Sequence, residues 1–118
     1  MFPNPLLADG VLLETFLAHF QSGTPDTEWI PAVAARGWVV LTNDARLKYN
    51  PIERDTIMGS NAAVIILAAG YTHPEMAEMF LSARRLVLEF LRYHEPPFIA
   101  RLYRNRIKMW LSRDDWTP

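Results

Sequence analysis

Apolar positions along the chain fall into two kinds of run. Two runs are short and unbroken. Trp38-Val39-Val40-Leu41 follows Gly37 and ends in Thr42-Asn43-Asp44, and Ala62-Ala63-Val64-Ile65-Ile66-Leu67 follows Gly59-Ser60-Asn61. Short continuous runs rich in β-branched residues and bounded by turn formers predict strands. Apolarity on both faces is what a parallel sheet covered by helices requires. Elsewhere the period lengthens. Ile30, Val33 and Ala34 predict a helix over Asp26–Arg36, with Thr24 or Asp26 as its cap and Gly37 as its stop. Pro31 requires either that this helix start near Pro31 or that its first turn be distorted. Pro51 opens a second helix, to Met58. Thr72-His73-Pro74-Glu75 is a capping-box pattern that opens the longest one, to about Tyr93. Its apolar stripe is Met76, Met79, Phe80, Ala83, Leu86, Val87, Phe90 and Leu91.

After Pro96-Pro97, the stretches Phe98–Tyr103 and Arg106–Leu111 flank Arg104-Asn105. Ile107, Met109 and Leu111 alternate with Arg106, Lys108 and Trp110, which predicts a hairpin with one solvated face. Residues 1–10 form a Pro-rich lead-in. Val11–Leu17 fits either a strand or the start of a short helix, Gln21–Pro25 a loop, and Ala45–Asn50 a polar connector. Strands and helices that alternate in this way predict an α/β fold: a parallel sheet with crossover helices, plus a C-terminal β-hairpin.

Length and composition narrow the picture. At 118 residues the chain is one domain, and with half its residues hydrophobic it can bury a core. Twelve basic against thirteen acidic residues leave a net charge of −1, which excludes a uniformly positive nucleic-acid binder but not a local basic groove. The absence of cysteine excludes disulfides and thiolate metal sites and fits a cytoplasmic protein. No apolar run reaches the about 18 residues of a membrane span, and no signal peptide is visible.

The available chemistry is carboxylate chemistry. There is no Gly-rich phosphate loop, and His19, His73 and His94 are scattered as surface or capping residues would be. Asp26, Glu28, Asp44, Glu53 and Asp55 remain. Oxygen-only sites suit Mg²⁺ or Mn²⁺. Asp44 stands where ligands bind in open α/β sheets, past the carboxyl end of a strand. Asp26 and Glu28 are two apart, so on a helix they point different ways, and at most one can share a site with Asp44. The alternative stays open that Asp44 only turns the chain and that the other two are first-turn acids favoured by the helix dipole.

A family resemblance bears on that choice. Pro25-Asp26-x-Glu28-Trp29-Ile30-Pro31, then Gly37-Trp38-Val39-x-x-Thr42-x-Asp44, then Pro51-x-Glu53-Arg54 resembles the PIN-like domains related to the VapC toxins. The branch it is most similar to carries the pattern D-x-E-W-I-P … G-W-V … T-x-D. The likeness covers Thr24 to Leu67 best, and the long helix and Pro97-Phe98-Ile99-Ala100-Arg101 share it. The resemblance implies an α/β fold and metal-dependent hydrolysis of RNA phosphodiesters by acids that bind Mg²⁺ or Mn²⁺, as the toxin of a toxin–antitoxin pair. The implied catalytic residues are Asp26, Glu28 and Asp44, with Asp26 and Asp44 as metal ligands. Arg46 and Lys48 would contact phosphate or be solvated surface, and Glu53 resembles a structural helix-start residue.

The expected partners are RNA, a cognate antitoxin and a second copy of the chain, with no membrane. The family begins with a strand that carries an Asp. Asp9 lies in the Pro-rich lead-in and is not assigned that role, so residues 1–118 are expected to be one PIN-like domain that lacks this first unit. The competing class is a non-catalytic PIN-like interaction module, whose surface would use Trp110, Trp116, Met76 and Met79. Asp44→Asn is expected to leave stability unchanged or raise it, by relieving carboxylate repulsion.

Overall fold

Both unbroken apolar runs become strands of one four-stranded sheet of order β1-β2-β3-β4. The computed structural model describes residues 19–67 and 73–116. In chain order these form α1 (Asp26–Ala35), β1 (Val39–Thr42), α2 (Arg46–Tyr49), α3 (Pro51–Gly59), β2 (Ala63–Leu67), α4 (His73–Tyr93), β3 (Phe98–Leu102) and β4 (Ile107–Ser112), then a single 3-10 turn. The first three strands are parallel and β4 is antiparallel to β3. This is the predicted α/β architecture with its terminal hairpin. Val11–Leu17 and the cap at Thr72 lie outside the described residues.

Alternating strand positions feed two separate cores. Ile65, Leu67, Phe98 and Leu102 pack on α4 through Phe80, Val87 and Phe90. Val40, Val64, Ile66 and Ile99 face the other way, onto Ile30 and Val33 of α1, Leu47 of α2 and Ile57 of α3. Helices thus cover both faces, and every residue of β2 is buried. The segments that follow β1 and β2 lie on opposite faces, an arrangement that opens a crevice at the strands' carboxyl ends.

The helix ends are built by their residues. Past α1, Gly37 takes φ +72°, with its N–H on Ala34 C=O (2.9 Å) and the Trp38 N–H on Val33 C=O (3.2 Å). Past α3, Asn61 takes φ +61°, and the same two bonds run to Met58 and Ile57. Both are Schellman endings, and each delivers the chain directly into a strand.

Four expectations need correction. Pro31 neither starts nor breaks α1 but sits inside it. Its missing N–H leaves only the carbonyl of exposed Thr27 without a helical partner, where water can reach it. Neither Thr24 nor Asp26 caps α1; Pro25 holds that position with no side-chain bond. The connector at 45–50 contains a short helix, because Leu47 anchors it to the core. The hairpin alternation fails at Trp110. Ala100 pairs with Met109 and Ile99 with Leu111, so Trp110 is the extra residue of a β-bulge. The bulge turns Leu111 onto the α1/α3 face, while Ile107 and Met109 pack on the α4 face.

Candidate metal centre

Three elements present an acid at the same place. β1 ends at Thr42, whose Oγ1 accepts the Asp44 N–H (3.1 Å) and fixes the turn beyond the strand. α1 begins with Asp26 itself. α3 begins at Pro51, and the Asn50 side chain accepts the N–H groups of Ile52 (3.1 Å) and Glu53 (3.3 Å). That cap holds Glu53 in the first turn. Asp26, Asp44 and Glu53 are each half-buried, and each offers one oxygen within 4.8 Å of the others. Two helix N-termini, the positive ends of their dipoles, meet this negative group.

Each carboxylate is held differently. Asp26 Oδ1 accepts the indole N–H of Trp29 (2.7 Å). Asp44 is gripped by Arg46, which donates from Nε to Oδ1 (2.9 Å), from Nη2 to Oδ2 (3.0 Å) and from its backbone N–H to Oδ1 (3.0 Å). That guanidinium hydrogen bond, working against burial, holds the Asp44 carboxyl below its usual range. Glu53 moves the other way. Burial pushes its carboxyl up, and so do the charge of Asp26, a hydrogen bond with Asp26 and the charge of Asp44, while Arg46 pulls it down. One acid of the group is therefore kept ionised while another is biased toward holding a proton.

The structure brings together Asp26 and Asp44 but not Glu28, which is exposed and outside the group. Arg46 lies at the rim, paired with Asp44. Lys48 points away, with Nζ 4.3 Å from the Trp110 ring centroid. Glu53, read from sequence as a helix-start acid, is both that and the third member of the cluster. Its signal was present in Pro51-x-Glu53, but the meeting of α1 and α3 was not. An open depression of about 370 Å³ adjoins the cluster, lined among others by Thr24, Asp26, Asn50, Ile52 and Glu53.

Two further expectations change. Met79 is 5% exposed and belongs to the α4 core, whereas Trp110 and Trp116 are half-buried against the core on the opposite face of the sheet, so these residues do not share one surface. The side chain of Met76 lies outside the described residues. The relief of repulsion expected from Asp44→Asn belongs instead to Glu53, because Asp44 has Arg46 as its counter-charge.

The donor set fits a hard divalent cation: oxygen only, half-buried, and with the charges of Asp26 and Asp44 adding to burial in raising Glu53. The fold and the gathered acids define an α/β protein with a carboxylate cluster at the carboxyl edge of its sheet. The chain belongs to the PIN like domain family, whose model matches residues 4–69, more than half of the 118 and a span that contains all three acids. No curated protein and no solved structure matches the chain. Among the described residues, no helix is long and apolar enough to cross a membrane.

Proposed function

We propose that this chain is a metal-dependent ribonuclease of PIN type, the toxin of a toxin–antitoxin pair, in which Asp26, Asp44 and Glu53 hold Mg²⁺ or Mn²⁺. The observation that carries the reading is the meeting of three acids from three elements, in a chain of this family. A bound divalent ion supplies Lewis acidity toward a phosphodiester and ionised water at neutral pH. The chain's own groups supply the rest. Trp29 fixes one oxygen of Asp26 and so aims the other. Burial and then the charges of Asp26 and Asp44 push the Glu53 carboxyl up, so a cation beside the group would favour its ionised, ligating form. The Arg46 side chain is 86% exposed and presents a planar fork of donors that matches a phosphate as well as it matches Asp44.

One observation favours a second reading, a non-catalytic binding module: Arg46 occupies both oxygens of Asp44. Incubation of a mixed RNA with the chain in Mn²⁺, beside EDTA and Asp44→Asn, separates the two. The ribonuclease cleaves in Mn²⁺ and stops in EDTA. Loss of the Asp44 ligand costs more than the roughly 10- to 100-fold typical of groups that only support a ligand. A folded chain that leaves RNA intact in Mn²⁺ refutes the ribonuclease and leaves the binding module.

A further inference from the structure

The β3–β4 hairpin lies outside the span matched by the family and differs from the rest of the chain in charge. Residues 96–113 contain Arg101, Arg104, Arg106, Lys108 and Arg113 and no acid, although the whole chain carries a net charge of −1. Part of this charge is interleaved with rings. Lys48 Nζ lies 5.4 Å from the ring centroid of Tyr49 and 4.3 Å from that of Trp110. Arg101 Cζ lies 4.7 Å from Trp110 and 5.7 Å from Tyr103, and Arg106 Cζ lies 4.6 Å from Tyr103. Tyr49 and Trp110 are themselves 6.1 Å apart. The order across the surface is therefore Tyr49, Lys48, Trp110, Arg101, Tyr103, Arg106: ring and cation by turns.

These cations are not neutralised by the fold. Among the described residues Lys48, Arg101 and Arg106 enter no ion pair, in contrast to Arg46. Arg101 Nε is buried with no hydrogen-bond partner there. Tyr49 is 66% exposed, more than a ring packed for stability would be. Sheet register ties this strip to the acids. Thr42, Ile66, Arg101 and Lys108 are successive partners in one row across the four strands. Two strand spacings place Arg101 about 10 Å from Thr42, the residue that sets Asp44. Alternation from Met109 puts the indole of Trp110 on the α1/α3 face, and the bulge keeps Leu111 on that face beside it.

We propose that this strip binds a single strand of RNA, with unpaired bases stacked on Tyr49 and Tyr103 and phosphates met by Lys48, Arg101 and Arg106. Rings that alternate with cations suit a polymer that alternates bases with phosphates. An acidic peptide would use the charges and leave the rings idle. The proposal rests on the ribonuclease reading for the nature of its ligand, but it requires neither the divalent ion nor cleavage.

The test is fluorescence anisotropy of a labelled oligouridylate with the full chain in EDTA. The single strand binds and a hairpin duplex of the same length binds more weakly. Three phosphate contacts give a log–log salt slope of about −2. Tyr49→Leu weakens binding about tenfold while Tyr49→Phe retains it, because only the ring is needed. Lys48→Gln and Arg106→Gln each flatten the slope by about 0.7. Binding that is unchanged in Tyr49→Leu, a duplex that binds as well as the strand, or displacement by polyglutamate as effective as by RNA overturns the proposal, the last in favour of an acidic peptide. Failure here and failure of the nuclease are distinct. A chain that binds the strand in EDTA yet cleaves nothing in Mn²⁺ keeps the strip and loses the enzyme. A chain that cleaves in Mn²⁺ but binds no strand does the reverse.

Discussion

Glu53→Gln removes one charge from three carboxylates whose oxygens lie within 4.8 Å of one another, and it leaves the size and helix-start role of the side chain intact. Two unit charges about 5 Å apart repel by about 0.8 kcal/mol in water and about 3 kcal/mol at an effective dielectric near 20. The group is half-buried and screened by salt, so about 1 kcal/mol per pair applies. Two pairs are relieved, those with Asp26 and with Asp44, and the lost attraction to Arg46 offsets part of the gain. A net gain of about 1 kcal/mol remains, and at roughly 2.1 cal/mol/K of unfolding entropy per residue it raises Tm by about 4 °C for a chain of this length. The pH dependence has a definite sign. A raised Glu53 pKa means that the folded state binds the proton more tightly than the unfolded one, so wild-type stability falls as pH rises through that value. The advantage of Gln is therefore absent below the ordinary Glu value of about 4.3 and complete above the raised one. Thermal melts in EDTA at acidic and neutral pH measure it. Excess Mn²⁺ should reverse the order: free ion at about 100 times its Kd stabilises the wild type by about 2.7 kcal/mol, and the variant, short of a ligand, by less. A lower Tm for Glu53→Gln in EDTA at neutral pH, or a wild type whose Tm ignores Mn²⁺, would refute the reasoning.

Asp44→Asn should act oppositely in EDTA and lower Tm, because it weakens the grip of Arg46. The contribution of Asp44 is present above the ordinary Asp pKa and is lost as pH falls through its depressed value, which melts across the acid range would show. Asn50→Ala removes the cap of α3 and should cost about 1 kcal/mol in denaturant unfolding. It should also weaken Mn²⁺ binding in calorimetry, since Glu53 loses its anchored N–H. Gly37→Ala meets no atom within 4 Å, so its penalty is backbone strain at φ +72°, about 1 kcal/mol in the same unfolding assay, with Mn²⁺ affinity unchanged.

Local pattern carried most of the fold. β1, β2, α3 and α4 follow from apolar runs, a proline at a helix start and a long 3.6-residue stripe, all read within a few residues of one another. The misreadings share a different cause. Pro31 is tolerated because tertiary packing of Ile30 and Val33 outweighs one missing hydrogen bond. The 46–49 helix is too short to announce itself. The bulge at Trp110 depends on the strand opposite it, which no alternation rule can see. The site divides in the same way. Asp44 at a strand end and Asp26 at a helix start were legible, and the rule that residues two apart diverge correctly allowed only one of Asp26 and Glu28 to join Asp44. Glu53 required knowledge that α1 and α3 start side by side. Asp44's counter-charge required the turn that folds Arg46 back two residues later.

That the three acids arrive on separate elements has a consequence for the unfolded chain. Asp26, Asp44 and Glu53 stand 18 and 9 residues apart, so before folding two loops must close, against their own repulsion, for the oxygens to meet. A coordinating ion therefore recognises tertiary order rather than composition, and a chain whose first and third helices separate loses the site with every acid still present. Ion occupancy and folding then share one equilibrium. The number of intact molecules in a cell, and their exposure to proteolysis, would follow the free ion supply rather than synthesis alone.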